Sequence, residues 1–449
     1  ITMAESGETI SYIQFERLVN RVAHGFQSLP HAGNGYVGIM HENAISYLAM
    51  AYALKKLNRV EVAINRAFRG AALTRMINLT ECQLLMTSQQ HLDALAEVVD
   101  DLPHLRALIL TSGHNAAKRR FPHLRIIDFE QMQSSDESHI TSTAHDTELA
   151  TIMFTSGTTG APKGAMLTHS ATCRGYKSWS DVIGLDRDRY LIINPFFHSF
   201  GLNAGILACL MTGSTILPHP VFDVPSVMAR IPVDRVSMLP GPPAIYQTIL
   251  NHPDLDTFDM STLRLAVTGA AAIPVEMIVQ MRERLGFEKI VTGYGLTETT
   301  GIATMCRHTD DPEVIATTSG RAIPDVEVRI VDPDGEETPR GEPGEIVVRG
   351  YNVMVGYLDD PERTAETIDA DGWLHTGDIG VMDAAGNIDI TDRVKDMFIN
   401  GGFNAYPAEI ESLMLAHPDI GNVAVIGVPD DRLGEVGYAF VVPAVGTSP

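Results

Sequence analysis

"TSGTTGAPKG", residues 155–164, follows directly on the apolar run Leu149-Ala150-Thr151-Ile152-Met153-Phe154. Glycines and hydroxyls crowd around one lysine, the make-up of a loop that wraps phosphate with backbone N–H groups. A Walker A loop would read G-x-x-x-x-G-K-S/T. Counted from Gly157, Lys163 falls in register, but Pro162 stands where the second glycine belongs and Gly164 where the hydroxyl belongs. Without that hydroxyl, the usual Mg2+ ligand of a P-loop nucleotide hydrolase is missing. Thr155, Ser156, Thr158 and Thr159 remain as side-chain donors around the loop. The plain alternative is a polar turn between a strand and a helix.

On both sides of this loop, short apolar runs alternate with helical patterns. Tyr36–Met40, Val60–Ile64, Gln83–Thr87 and Arg106–Leu110 form one series. Thr151–Phe154, Tyr190–Ile193, Arg235–Leu239, Leu263–Thr268 and Lys289–Thr292 form a second. Strand, helix, strand in this rhythm predicts an α/β fold with two βαβ-type lobes, their sheets mainly parallel and buried by helices. Ser11-Tyr12-Ile13-Gln14 fits a capping box at the start of the first helix, whose apolar residues Phe15, Leu18, Val19, Val22 and Phe26 recur at helical spacing. The stretch from Phe200 to Leu217 reads as a buried helix, a turn and a strand.

Near residue 325 the pattern changes to short β-rich pieces, Asp325–Val331 and Glu345–Gly350, around the turn Asp332-Pro333-Asp334-Gly335. This predicts a small β-barrel-like subdomain at about 320–392. After Asp392 a helix from Pro407 and two apolar runs, Val423–Val428 and Tyr438–Val442, give an α+β pattern that breaks off at Pro449. The expected division is a large domain over 1–392, a hinge at 393–396 and the start of a small, truncated C-terminal domain over 397–449.

A chain of 449 residues is too long for one core. Its formal net charge of −23 argues against nucleic acid and against an anionic membrane surface as partners. Cys82, Cys173, Cys209 and Cys306 are scattered without ligand or disulfide spacing, so all four are expected to be reduced packing residues of a cytoplasmic protein. No apolar stretch has the length and continuity of a membrane span.

Four further stretches carry unusual residue types. "GYGLTETTG" (293–301) sets Tyr294, Thr297 and Glu298 within five residues: a ring that can stack on a base, a hydroxyl, and a carboxylate suited to Mg2+. "DGWLHTGDIG" (371–380) presents Asp378, and a carboxylate can accept from two neighbouring ribose hydroxyls. "DRVKDMFINGGFNAYPAEIE" (392–411) reads as a charged hinge with a glycine pair, or as a plain linker. "NPFFHSFG" (194–201) holds His198 among aromatics. Taken singly, each has an ordinary structural explanation.

In this order, the five motifs resemble those of the adenylate-forming superfamily: acyl-CoA synthetases, luciferase-like enzymes and peptide-synthetase adenylation domains. The resemblance runs from Ser11 to the end of the chain. It implies an AMP-forming acid–thiol ligase: a carboxylate attacks the α-phosphate of MgATP, pyrophosphate leaves, and the thiol of coenzyme A then displaces AMP. ATP, Mg2+ and coenzyme A are the implied cofactors and co-substrates. Residue by residue, the resemblance implies that Thr155, Ser156, Gly157, Thr158, Thr159, Gly160 and Lys163 hold phosphate. Gly269, Ala270, Ala271, Tyr294 and Gly295 would take the adenine, Thr297 the AMP phosphate, Glu298 the Mg2+, and Asp378 and Arg393 the ribose. His198 matches an aromatic gate beside the carboxylate. Lys395 matches the hinge, and Gly401 and Gly402 the passage for the pantetheine arm.

The family's adenylation lysine, in a G-K motif well past the hinge, has no counterpart before Pro449, so a longer chain is expected. Phe197-His198-Ser199, without an amine-binding aspartate, resembles the acyl-CoA synthetase branch. "INPFFHSFGLNAGILACLMTGSTILPH", "LPGPPAIYQ" and "NVMVGYLDD" look most like bacterial fatty-acyl or steroid-catabolic CoA ligases. Asn203, Ala204, Gly205, Ala272 and Thr299 are the expected acyl-pocket residues, mostly small and so suited to a fatty or bulky acid. The expected partner is a small-molecule carboxylic acid, with a homodimer left open. Adenylation of an amino or aryl acid for a carrier protein, and a nucleotide-binding pseudo-enzyme, are the alternatives.

Overall fold

The computed structural model describes residues 1–449 apart from 4–6, 30–34, 157–161, 220–222, 270–272, 394–397, 401–402, 406, 416, 418, 431–433 and 444–449. Gly157, Thr158, Thr159, Gly160, Ala270, Ala271, Ala272, Lys395, Gly401 and Gly402 therefore lie outside the described residues.

The first sheet is built from β1 (Tyr36–Met40), β2 (Val60–Ala63), β3 (Leu84–Thr87), β4 (Ala107–Leu110), β5 (Arg125–Asp128), β6 (Leu149–Ser156) and β7 (Pro162–Thr168). From β6 through β2, β1, β3 and β4 to β5 every pairing is parallel. β3 and β4 are buried along their whole length, as near-continuous Leu/Ile/Met runs require when helices cover both faces. β6 and β7 pair antiparallel, so the phosphate-type loop joins two strands of one hairpin rather than a strand to a helix.

The second sheet contains β8 (Arg189–Ile192), β9 (Thr215–Pro218), β10 (Met238–Pro240), β11 (Leu265–Gly269), β12 (Lys289–Tyr294), β13 (Thr304–Met305) and β14 (Arg321–Ala322), in the order β14-β13-β12-β11-β10-β8-β9. The strand expected from Arg235 begins only at Met238. Arg235 adopts a left-handed conformation (φ 49°) that ends the helix Val224–Asp234.

The helix Ile45–Lys56 is apolar on most of its surface, and eight of its residues, Tyr47 and Leu48 among them, are buried. A helix of that kind belongs between layers. The largest buried cluster draws on both sheets, with Val37 and Ile39 in the same core as Leu191, Ile192 and Leu239. Across it the Tyr47 and Phe196 rings meet edge-to-face at 5.5 Å. The two lobes thus share one core. The capping box at Ser11 forms as expected, a contribution of about 1 kcal/mol.

A four-stranded antiparallel sheet follows: β15 (Val326–Val331), β16 (Pro343–Gly350), β18 (Leu374–Met382) and β19 (Ile388–Arg393). Between them β17 (Gly356–Tyr357) leaves this sheet and pairs with β7 on the edge of the first. The C-terminal piece has β20 (Phe398–Asn400), β21 (Phe403–Ala405), β22 (Ile420–Asp430) and β23 (Gly434–Pro443) in one sheet, with the helix Pro407–Leu415. Cys82, Cys209 and Cys306 are buried free thiols, but Cys173 is exposed. It lies on the solvent side of the helix His169–Ile183, so it is not the packing residue expected from the sequence.

Candidate active site

The ends of β6 and β7 meet the turn Thr297–Thr299 that follows β12. Thr155, near the end of β6, donates its hydroxyl to Glu298 Oε1 at 3.3 Å. Lys163, on β7, points its ammonium at the Tyr357 hydroxyl, 3.2 Å away and 4.4 Å from the centre of that ring. The Tyr357 hydroxyl in turn donates to Glu298 Oε1 at 2.7 Å. Burial, and then the adjacent Glu298 carboxylate, push the Tyr357 phenol well above its ordinary value, so it stays a hydrogen donor. Glu298 is held from behind by a hydrogen bond from Met354 N–H to its carbonyl at 2.8 Å.

A second group lies beside this one. Tyr294 closes β12 and donates its hydroxyl to Asp378 Oδ2 at 2.6 Å. Asp378 is 4% exposed, and in the ladder between β18 and β19 it faces Arg393, the second residue expected at the ribose. Gly269 and Gly293 are paired at the ends of β11 and β12, where a Cβ on Gly269 would come within 2.7 Å of the Gly293 carbonyl oxygen. Gly295 is equally constrained, because a Cβ there would sit 2.4 Å from the Ile302 backbone. Both glycines serve close backbone approach at the end of the sheet.

His198 lies on a segment clamped from the first lobe. Asn43 accepts from Phe196 N–H at 2.9 Å and donates to the Asn194 carbonyl at 2.9 Å. Although the His198 side chain reaches solvent, protein crowds it, and desolvation lowers its pKa. Its Nδ1 accepts from Phe200 N–H at 3.2 Å, which leaves the hydrogen of the neutral ring on Nε2. Immediately after it, Phe200–Leu207 forms a π-helix, a widened turn common at functional sites.

The expected acyl-pocket residues divide. Asn203 is buried, and the nearby Tyr176 donates its hydroxyl to the Thr300 carbonyl at 2.9 Å. Ala204 belongs to the buried core, and a Cβ on Gly205 would meet the Ile192 side chain at 3.0 Å. Thr299 is fully buried and uses its hydroxyl to close the turn Thr297–Thr299, accepting from Leu296 N–H at 2.9 Å. Thr297 opens that turn, half-buried.

Two participants escaped the sequence reading. Tyr357 arrives on the edge strand β17, and Arg75 donates through Nε to the Pro162 carbonyl at 3.1 Å, tying the start of β7 to the helix Gly70–Leu79. Among the described residues no group of three or more His, Cys, Asp or Glu could hold a metal. Around Glu298 the site offers that one carboxylate and the Thr155 and Tyr357 hydroxyls. These oxygen donors suit Mg2+, which binds through one or two carboxylates together with substrate phosphates.

Residues 1–358 match the family profile described as AMP-binding enzyme, and residues 409–449 match the AMP-binding enzyme C-terminal domain. The chain belongs to the AMP-binding enzyme family. A 3-(7a-methyl-1,5-dioxo-octahydro-1H-inden-4-yl)propanoyl:CoA ligase of Rhodococcus jostii is 40% identical over 457 residues, covering 99% of this chain and 86% of the relative. A Mycobacterium tuberculosis ligase of the same description is 53% identical over 302 residues, 67% of this chain and 57% of that protein. Among solved structures, ATP-bound MatB from Rhodopseudomonas palustris superposes with a TM-score of 0.88 at 29% identity, over 100% of this chain and 86% of MatB. AMP-binding CoA ligases use ATP, Mg2+ and coenzyme A.

Proposed function

We propose that this chain performs ATP-dependent acyl-CoA ligation on a ring-bearing carboxylic acid. The observation that carries the reading is the gathering of Thr155, Lys163, Tyr357 and Glu298 into one hydrogen-bonded group beside the Tyr294–Asp378 pair. A cation, an oxygen ligand for a hard metal, and an aromatic–carboxylate pair match the parts of MgATP. No protein nucleophile is required, because the substrate supplies its own.

In the first half-reaction a carboxylate oxygen of the acid attacks the α-phosphorus, and the bond to pyrophosphate breaks. In the second, the coenzyme A sulfur attacks the acyl carbon, AMP leaves with the C–O electrons, and the thiol proton is released. Catalysis is positioning and charge stabilisation. Lys163, Thr155 and Ser156, with Gly157, Thr158, Thr159 and Gly160, would hold the β- and γ-phosphates. Thr297 would contact the α-phosphate. Glu298 and the nucleotide phosphates would hold Mg2+, which when bound offsets charge developing on the leaving pyrophosphate. Tyr294, with Gly269, Ala270 and Ala271, would flank the adenine, and Asp378 and Arg393 the ribose. The neutral His198 ring, with its hydrogen on Nε2, would donate to the acid's carboxylate. Division at a 393–396 hinge, with Lys395 in it and Gly401 and Gly402 beyond, belongs to the same proposal.

The acid class rests on the Rhodococcus relative, which is named for a propanoate on a methylated bicyclic diketone. Cytoplasmic placement is likewise proposed; among the described residues no helix is long and apolar enough to cross a membrane. The test is carboxylate-dependent exchange of labelled pyrophosphate into ATP, with the CoA thioester read by mass spectrometry. Ring-bearing propanoates should support both. Exchange confined to acetate, unbranched fatty acids or amino acids would overturn the acid class.

A further inference from the structure

Tyr357 sits in "NVMVGYLDD", a stretch to which the proposed reaction gives no part, yet its hydroxyl lies between the two most important charges of the site. It accepts from the Lys163 ammonium at 3.2 Å and donates to the Glu298 carboxylate at 2.7 Å. The ring is 4% exposed and carries the same ammonium over its face at 4.4 Å. Ammonium and carboxylate brought together without a spacer form a short, charge-assisted pair that an incoming ligand must break. A neutral hydroxyl between them satisfies both while leaving them separate.

The backbone holds this hydroxyl in place. Tyr357 is opposite Ala165 in the β17–β7 ladder, two residues from Lys163. On either side, Val355 N–H donates to the Met166 carbonyl at 3.0 Å and Leu358 N–H to the Gly164 carbonyl at 2.9 Å. Tyr357 N–H itself donates to Thr364 Oγ1 at 2.9 Å. Gly356 permits this approach, since a Cβ there would meet Thr364 at 2.7 Å. The short edge strand therefore fixes the phenol to the strand that carries the lysine, and the phenol reaches across to the glutamate.

We propose that Tyr357 is a positioning residue: it keeps Lys163 and Glu298 apart and aimed, so that phosphate and Mg2+ meet two prepared charges instead of a collapsed ion pair. The inference rests on the proposed roles of Lys163 and Glu298. It acts through those residues and not on the reacting atoms.

The test is calorimetric binding of a non-cleavable ATP analogue at a series of Mg2+ concentrations, to the wild type, Tyr357→Phe, Tyr357→Leu, Glu298→Gln and the Glu298→Gln/Tyr357→Phe double variant. AMP binding and melting temperature serve as controls. Tyr357→Phe should raise the Mg2+ concentration for half-maximal analogue binding about tenfold, the scale of a lost hydrogen bond to a charged group. AMP affinity should stay unchanged, which a merely structural defect would not allow. Tyr357→Leu, which also removes the ring beneath Lys163, should weaken the analogue further. In the Glu298→Gln background, removing the hydroxyl should have no additional effect on Mg2+ dependence, an outcome that stands even if the single variants lose some stability. A Mg2+ response of Tyr357→Phe identical to the wild type, with Glu298→Gln altered, overturns this inference alone. Indifference of both wild type and Glu298→Gln to Mg2+ overturns it together with the reading of Glu298.

Discussion

Tyr294 donates its phenolic hydrogen to Asp378 Oδ2 at 2.6 Å, tying the end of β12 to a sheet that begins after the second lobe is complete. The bond fixes the carboxylate of a buried aspartate beside an aromatic ring, and the proposed reading has the pair hold a nucleoside by its sugar and its base. Asp378→Ala should weaken AMP binding roughly 10–100-fold, the cost of hydrogen bonds to a charged group. Tyr294→Phe keeps the ring and loses only the tie, so its effect should be smaller. Calorimetric titration with AMP measures both, and an Asp378→Ala chain that binds AMP like the wild type would remove Asp378 from the site.

Glu298 accepts from Thr155 and Tyr357 on one oxygen. Glu298→Gln keeps the shape and removes the charge, so the loss should appear where a metal ion is needed. Pyrophosphate exchange should fall about 100-fold, the scale of one preorganised electrostatic contact, and should recover in part as Mg2+ is raised. AMP, which needs no such ion here, should bind as before. Equal losses in exchange and in AMP affinity would mean that Glu298 holds the loop together and does not meet the metal.

Much of this was legible in the sequence because it is periodic or local. Apolar runs at βαβ spacing give two mainly parallel sheets, and the capping box at Ser11 forms as its residues imply. The hairpin β6–β7 was less plain. A Gly-rich loop after an apolar run suggests a helix to follow, yet Ala165-Met166-Leu167 continues as a strand, and two apolar runs flanking a short Gly-bearing loop are themselves a hairpin signal. Tyr357 was not legible at all. It meets Lys163 across 194 residues of sequence, through a two-residue edge strand too short to show alternation. Thr299 misled in the opposite sense, since a hydroxyl in a functional motif is spent on its own turn.

His41 is buried after β1, with Nε2 at 2.8 Å from Thr111 Oγ1. Burial lowers its pKa below the ordinary 6.5, the Glu42 carboxylate opposes the shift, and Arg66 adds to it. Above pH 6.5 the ring is neutral in both folded and unfolded chains. As pH falls through 6.5 the unfolded chain takes up a proton that the folded one resists, so stability is full above that value and lost below it. The loss approaches about 1.4 kcal/mol per pH unit for one such group. Urea unfolding between pH 7.5 and 5.5 measures it, and His41→Gln should flatten the profile. Equal slopes for wild type and variant would assign the acid sensitivity elsewhere.

Gly301 follows the turn that carries Thr297 and Glu298 and packs against Tyr176 and Ser199, the neighbour of His198. Its φ of 94° favours glycine, and a Cβ there would lie 2.5 Å from the Tyr176 hydroxyl and 2.7 Å from Ser199 Oγ. Ser199 follows His198, and Tyr176 bonds the Thr300 carbonyl beside Gly301, so displacing them disturbs the segment expected to contact the acid. Gly301→Ala should cost about 1–2 kcal/mol of stability through the left-handed backbone alone. More informatively, it should raise the Michaelis constant for the acid about tenfold, the scale of disturbing a few packed and hydrogen-bonded contacts. The constant for ATP should stay within about twofold, because the side chains a Cβ on Gly301 displaces are Tyr176 and Ser199, neither of which is assigned to the nucleotide. Steady-state kinetics with each substrate varied in turn separates the two. A parallel rise in both constants would show that the turn moves as one body and that the acid pocket has no independent wall at Gly301.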